Sequence, residues 1–74
     1  MKKAMKITNT QIVSLQNIIC ADLLTFGSGA KSNPFTYQIA IDYANDRTVH
    51  IKFEENRVAA ENAFDNLIKE LSEE

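Results

Sequence analysis

The segment 35–53 constrains the fold more than any other part of the chain, because apolar and polar residues alternate along both of its arms. A period of two is typical of a β-strand that has one buried face. A short polar segment, residues 44–48, separates the two arms. The pattern predicts a β-hairpin whose strands present their apolar residues to the same side.

The loop of this hairpin determines whether the two apolar faces coincide. Residues that lie opposite each other in antiparallel strands share a face. A two-residue turn would place Val49 opposite Asp42 and split the apolar face, which is costly when that face is buried. We therefore expect an odd number of loop residues, or a bulge that corrects the phase. If a three-residue loop begins at Ala44, His50 lies opposite Ala40. If it begins one residue later, His50 lies opposite Asp42.

Residues 12–26 fit two interpretations. Alternation favours a strand, but Asn17 and Ile18 break the alternation, and a bulge there would explain the break. A helical stripe with Gly27 just past its end is the other interpretation. Short apolar runs do not decide between helix and strand by period alone, and the β-branched residues favour the strand. A shorter strand is predicted earlier in the chain, at residues 4–8.

A helix is predicted over residues 54–74, with Asn56 as its N-cap. Apolar residues recur there at helical spacing and form one face. These residues are Ala60, Ala63, Phe64, Leu67, Ile68 and Leu71.

The 74 residues are enough for one small domain, 1–74. Both glycines and the only proline lie in residues 27–34, which we expect to form a flexible surface loop. A single cysteine excludes an internal disulfide, so stability must come from packing or self-association. The expected fold is α+β: an antiparallel sheet of about four strands (ββββ) packed on one face by the C-terminal amphipathic helix.

The strand segments are 12–18, 37–43 and 51–53, and the helical spacing is that of Ala60, Phe64, Leu67 and Leu71. With these segments, the chain resembles a group of small uncharacterised bacterial and phage proteins with a ββββα layout. It is also similar to the C-terminal half of a pleckstrin-homology-type (PH-like) barrel, in which a helix closes a sheet. The resemblance implies a fold and no active-site residues.

Enzymatic chemistry is not expected from this sequence, and we predict no catalytic, cofactor-binding or metal-ligating residues. Cys20 is expected to act as a small apolar side chain, since a nucleophile needs a base beside it. His50 is the only histidine and is expected to be solvated on the polar side of the hairpin. No apolar run is long enough to cross a bilayer. Polar residues interrupt the early apolar segment, so an export signal is not expected and a cytoplasmic location is predicted.

The functional hypothesis is a non-enzymatic protein-interaction module that acts through the open sheet face or an edge strand. Its partner would be another protein or a second copy of the chain. The resemblance to phage proteins further implies an adaptor or inhibitor of a host factor. The expected interaction face consists of Thr36, Gln38, Asp42, His50 and Lys52.

The alternative is a single-stranded nucleic-acid-binding ββββα protein. Such sheets need exposed aromatic residues and basic flanks. The net charge is −2, the eight basic residues are scattered, and the aromatic residues are expected mostly in the core. Binding to nucleic acid is therefore the less favoured hypothesis.

Overall fold

The computed structural model describes residues 3–72 and shows an α+β fold with one helix in this range. Its elements are β1 (Ala4–Thr8), β2 (Gln11–Ser14), β3 (Ile18–Phe26), β4 (Thr36–Tyr43), β5 (Thr48–Glu54) and α1 (Arg57–Ser72). Five strands form two antiparallel sheets, β1–β2 and β3–β4–β5. The C-terminal helix is confirmed. The prediction of about four strands in one sheet is wrong.

The second sheet exists because the chain turns between β2 and β3. Asn17 has a φ of 66°, a left-handed conformation that asparagine tolerates better than most residues. The register with β4 then shifts between Ile18 and Cys20, which leaves Ile19 as an extra residue. The helical interpretation of residues 12–26 is wrong, and the strand interpretation holds as two strands. The predicted bulge accounts for only part of the broken alternation, and the turn accounts for the rest.

The β4–β5 hairpin has the predicted odd loop. The Tyr43 amide donates to the Arg47 carbonyl at 2.8 Å, so the loop holds three residues, 44–46. Asp46 takes a φ of 65° there, a conformation that aspartate tolerates in turns. His50 accordingly lies opposite Ala40. The apolar faces of the two strands coincide, as the alternation required.

The core lies between the three-stranded sheet, α1 and the β1–β2 sheet. Ile39, Ile41 and Ile51 of the sheet are fully buried, as is Leu67 of the helix. The buried side chains that form this cluster are Ile7, Val13, Leu15, Ile39, Ile41, Ile51, Ala63 and Leu67.

The helix begins as predicted. The Asn56 side-chain oxygen accepts a hydrogen bond from the Ala59 amide at 3.0 Å, which satisfies one of the free donors of the first turn. The predicted apolar face is turned to the core except for Ile68, which is exposed. The described helix ends at Ser72, and residues 73 and 74 lie outside the described range.

The segment 27–34 forms a closed loop between β3 and β4. The amides of Ser28 and Gly29 both donate to the Asn33 carbonyl at 3.1 Å. Gly27 has a φ of 99°, and a side chain there would collide with the Pro34 backbone, so this position requires glycine. The flexibility expected of this loop stays a prediction.

The β1–β2 sheet is tied to the other sheet through one end of β4. The Tyr43 hydroxyl donates to the Ser14 carbonyl at 2.7 Å, and the Ala44 amide donates to the Asn17 carbonyl at 2.8 Å. The two-stranded sheet thus covers the same side of β4 as the helix. Within residues 3–72, no helix combines the length and apolar character that a bilayer crossing requires.

Candidate functional site: the open face of the three-stranded sheet

Within residues 3–72, α1 and the β1–β2 sheet cover one face of the three-stranded sheet, and no element covers the other, which we call the open face. Alternate residues of each strand point to the open face, because successive side chains in a strand point to opposite sides. Gln38 lies opposite Lys52, and Ala40 lies opposite His50. The five residues predicted for the interaction face all belong to this side: Thr36, Gln38, Asp42, His50 and Lys52.

Sequence reasoning missed the third strand of this face. β3 contributes Cys20, Asp22, Leu24 and Phe26, which pair with Asp42, Ala40, Gln38 and Thr36 of β4 in that order. β5 adds Thr48, which lies opposite Asp42. The signal was present as the alternation after the broken part of residues 12–26. The alternation could not assign these residues to a face of a sheet as long as residues 12–26 fitted both a helix and a strand.

Asp42 joins all three strands at one end of the open face. Its carboxylate accepts a hydrogen bond from the Cys20 thiol at 3.0 Å and another from the Thr48 hydroxyl at 2.8 Å. These two bonds, the first most strongly, lower the pKa of Asp42, and the nearby His50 lowers it slightly further. The same hydrogen bond is the main reason that the pKa of the Cys20 thiol is raised.

The raised pKa of the Cys20 thiol disfavours the thiolate, which is the reactive form. Cys20 is exposed and hydrogen-bonded, which corrects the expectation of a passive apolar side chain.

His50 occupies the middle of the open face and contacts Gln38. Its Nδ1 lies 3.2 Å from the Gln38 amide nitrogen. This separation is within hydrogen-bond distance and links the two side chains across β4 and β5. His50 is exposed, as predicted, and its hydrogen bond holds the side chains of β4 and β5 side by side.

The other end of the open face is amphipathic. Phe26 is 50% exposed, which corrects the expectation that it lies in the core, and Leu24 beside it is partly buried. A shallow hollow of about 290 Å³ opens next to the Phe26 ring. Thr36, Tyr37, Gln38, Lys52 and Glu54 complete its lining. This end combines an aromatic side chain with charges of both signs.

Side-chain hydrogen bonds between neighbouring strands characterise the open face. Among residues 3–72, no group of three or more His, Cys, Asp or Glu side chains is arranged to hold a metal ion. The polar side chains instead bond to one another across the strands. Comparison of the chain with models of known families, with known proteins and with solved structures found no match.

Proposed function

We propose that the chain is a non-enzymatic protein-interaction module that binds its partner through the open face of the three-stranded sheet. The observation that carries the proposal is the exposed Phe26 at the amphipathic end of a face that α1 leaves uncovered. Aromatic side chains are enriched at the centres of protein interfaces and contribute much of their binding energy.

The charges of this face favour a protein over a nucleic acid. Asp22 and Asp42 carry negative charge on it and Lys52 carries positive charge, while Glu54, which pairs with Tyr37, adds a carboxylate to the lining of the hollow beside Phe26. Phosphate backbones require a positive surface, because counterion release supplies much of their affinity. Phe26 alone is also a small stacking platform for bases. The open face supports protein binding in general. The narrower role of an adaptor or inhibitor rests on the resemblance to phage proteins.

Affinity capture from the host of origin tests this proposal with three matched baits. The wild-type chain and Asn62→Ala, altered on the exposed side of α1, should retain the same protein. Phe26→Ser should lose it, because the variant removes the aromatic side chain without touching the buried core. Circular dichroism checks that each bait is folded.

Two outcomes would overturn the proposal. Equal capture by Phe26→Ser and the wild-type chain would place the contact elsewhere. Micromolar, salt-sensitive binding to a labelled single-stranded oligonucleotide, measured by fluorescence anisotropy at low salt, would favour the nucleic-acid alternative.

A further inference from the structure

We propose that a second binding site lies in the cleft between β2 and the loop end of the β4–β5 hairpin, and that it takes an extended peptide of a partner protein through one acidic side chain of that peptide. The cleft has a volume of about 600 Å³, within the range of ligand-binding clefts. One wall is β2 with Gln16 and Asn17, and the other is formed by Tyr43, Ala44, Asn45, Arg47 and Val49. None of these residues belongs to the predicted interaction face.

In the described part of the chain, β2 pairs with β1 alone, so its other backbone edge, at this cleft, carries no strand. The Leu15 amide donates to the Lys3 carbonyl at 2.8 Å, which sets the phase of the β1–β2 ladder. Hydrogen-bonded and non-hydrogen-bonded pairs alternate along antiparallel strands. The backbone groups of Ile12 and Ser14 therefore point away from β1. The Ser14 carbonyl confirms this direction, because it accepts the hydrogen bond from Tyr43, which lies on the opposite wall.

An unpaired strand edge beside a cleft is suited to an added strand. An extended peptide could pair with the Ile12 backbone and the Ser14 amide, which is the recognition mode of proteins that bind peptides by strand addition. Ile12 is 73% exposed and offers an apolar contact to alternate side chains of such a peptide. A small anion would use neither feature, so the cleft favours a peptide.

The charge of the cleft selects an acidic peptide. Arg47 is the only charged side chain among the lining residues, and no ion pair joins it to a carboxylate in the part of the chain from 3 to 72. Burial raises the pKa of the Tyr43 phenol, and the positive charge of Arg47 lowers it by a smaller amount, so Arg47 acts electrostatically within the cleft. The side chains of Gln16, Asn17 and Asn45 add amide donors. A carboxylate entering here would gain an arginine partner and would meet no negative charge on the walls.

A pair of designed peptides tests the inference on the full chain. One is a fluorescein-labelled, C-terminally amidated heptapeptide, Thr-Val-Thr-Glu-Val-Thr-Val, and the other carries Gln in place of Glu. Both are extended by composition and differ only in the charge at the centre. We expect the Glu peptide to bind about tenfold more tightly in fluorescence anisotropy, the scale of a charge-assisted hydrogen bond. Arg47→Gln should abolish this preference, and Arg57→Gln, which alters an arginine paired with Glu61 outside the cleft, should retain it.

Amide chemical shifts locate the bound peptide. In a ¹⁵N-labelled chain, the Glu peptide should shift the amides of Ile12 and Ser14 and the side-chain amide of Asn45. Equal affinity for the two peptides, an unchanged preference in Arg47→Gln, or the absence of binding at millimolar peptide would each overturn the inference. Shifts confined to the open face would do the same. The capture experiment with Phe26→Ser concerns a different surface, so either proposal can fail alone.

Discussion

The two sides of β4 consist of alternate residues of one eight-residue strand, yet their surroundings differ completely. On the covered side, Ile39 and Ile41 are fully buried against α1 and the β1–β2 sheet. On the open side, Gln38 and Asp42 are partly exposed and bond to side chains of the neighbouring strands. The covered side therefore supplies stability, and the open side is available for binding. Substitutions on the covered side of β4 should therefore reduce stability, and substitutions on its open side should leave stability almost unchanged.

The largest effect is expected from Ile41→Ala on the covered side. The variant leaves a cavity in the core and should lower the free energy of unfolding by about 2–5 kcal/mol. A domain of this length has roughly 4–11 kcal/mol in total, so the loss is a large fraction. Urea denaturation followed by circular dichroism measures it.

Gln38→Ala on the open side is the matched control and should change the free energy of unfolding by less than about 0.5 kcal/mol. If Ile41→Ala does not fold, Ile41→Val should still cost about 0.5–1.5 kcal/mol. Equal losses from Ile41→Val and Gln38→Ala would contradict the difference between the two sides.

The same two-sidedness explains what the sequence could predict. The alternation in β4 and β5 is unbroken, so it predicted the hairpin, the odd loop and the five open-face residues on these strands. It could not predict the second sheet, because the connection 15–17 and the bulge at Ile19 interrupt residues 12–26 and each shifts the phase of the alternation. Phe26 was expected in the core for a related reason: hydrophobicity does not reveal which face of a strand is covered. That depends on where α1 and the β1–β2 sheet pack, which is tertiary information.

A smaller effect is expected from Tyr43→Phe, which alters the contact between the two sheets. The variant removes the hydrogen bond to the Ser14 carbonyl and should cost about 0.5–1.5 kcal/mol. Amide hydrogen exchange should become faster in β1 and β2 and stay unchanged in β4, because the two-stranded sheet loses a tie to β4. Uniformly faster exchange in all strands would contradict a local role for this contact.

The stability difference between Tyr43→Phe and the wild type should also depend on pH. Burial is the main reason that the pKa of Tyr43 is raised above its ordinary value of 10.0. The folded chain then binds the phenolic proton more tightly than the unfolded chain, so wild-type stability falls as the pH rises above about 10. Phenylalanine has no such proton, and the advantage of the wild type over the variant should shrink in that range.

Asp42→Asn on the open side is expected to have the smallest effect on stability and a clear effect on the reactivity of the Cys20 thiol. Near neutral pH the variant should unfold almost as the wild type does, because Asp42 lies at an exposed surface where charge interactions contribute little. The pKa of Asp42 is lowered by its hydrogen bonds, so its contribution is present above its ordinary pKa and is lost as the pH falls through the lowered value. In the Asn variant, the free energy of unfolding should not show this decrease at acidic pH, because the asparagine side chain does not titrate.

The Cys20 thiol reports the same substitution directly. The hydrogen bond to Asp42 is the main reason that the thiol pKa is raised, so Asp42→Asn should lower it toward its ordinary value. Alkylation by iodoacetamide near pH 8 should become several-fold faster, since only the thiolate reacts. Asp22→Asn is the matched control and should accelerate the reaction less, because Asp22 acts on Cys20 only through its charge and is the weakest of the four causes. An unchanged alkylation rate in Asp42→Asn would mean that Cys20 and Asp42 are not hydrogen-bonded across β3 and β4. The hydrogen bonds that join the three strands at this end of the open face would then be reduced to the one between Asp42 and Thr48.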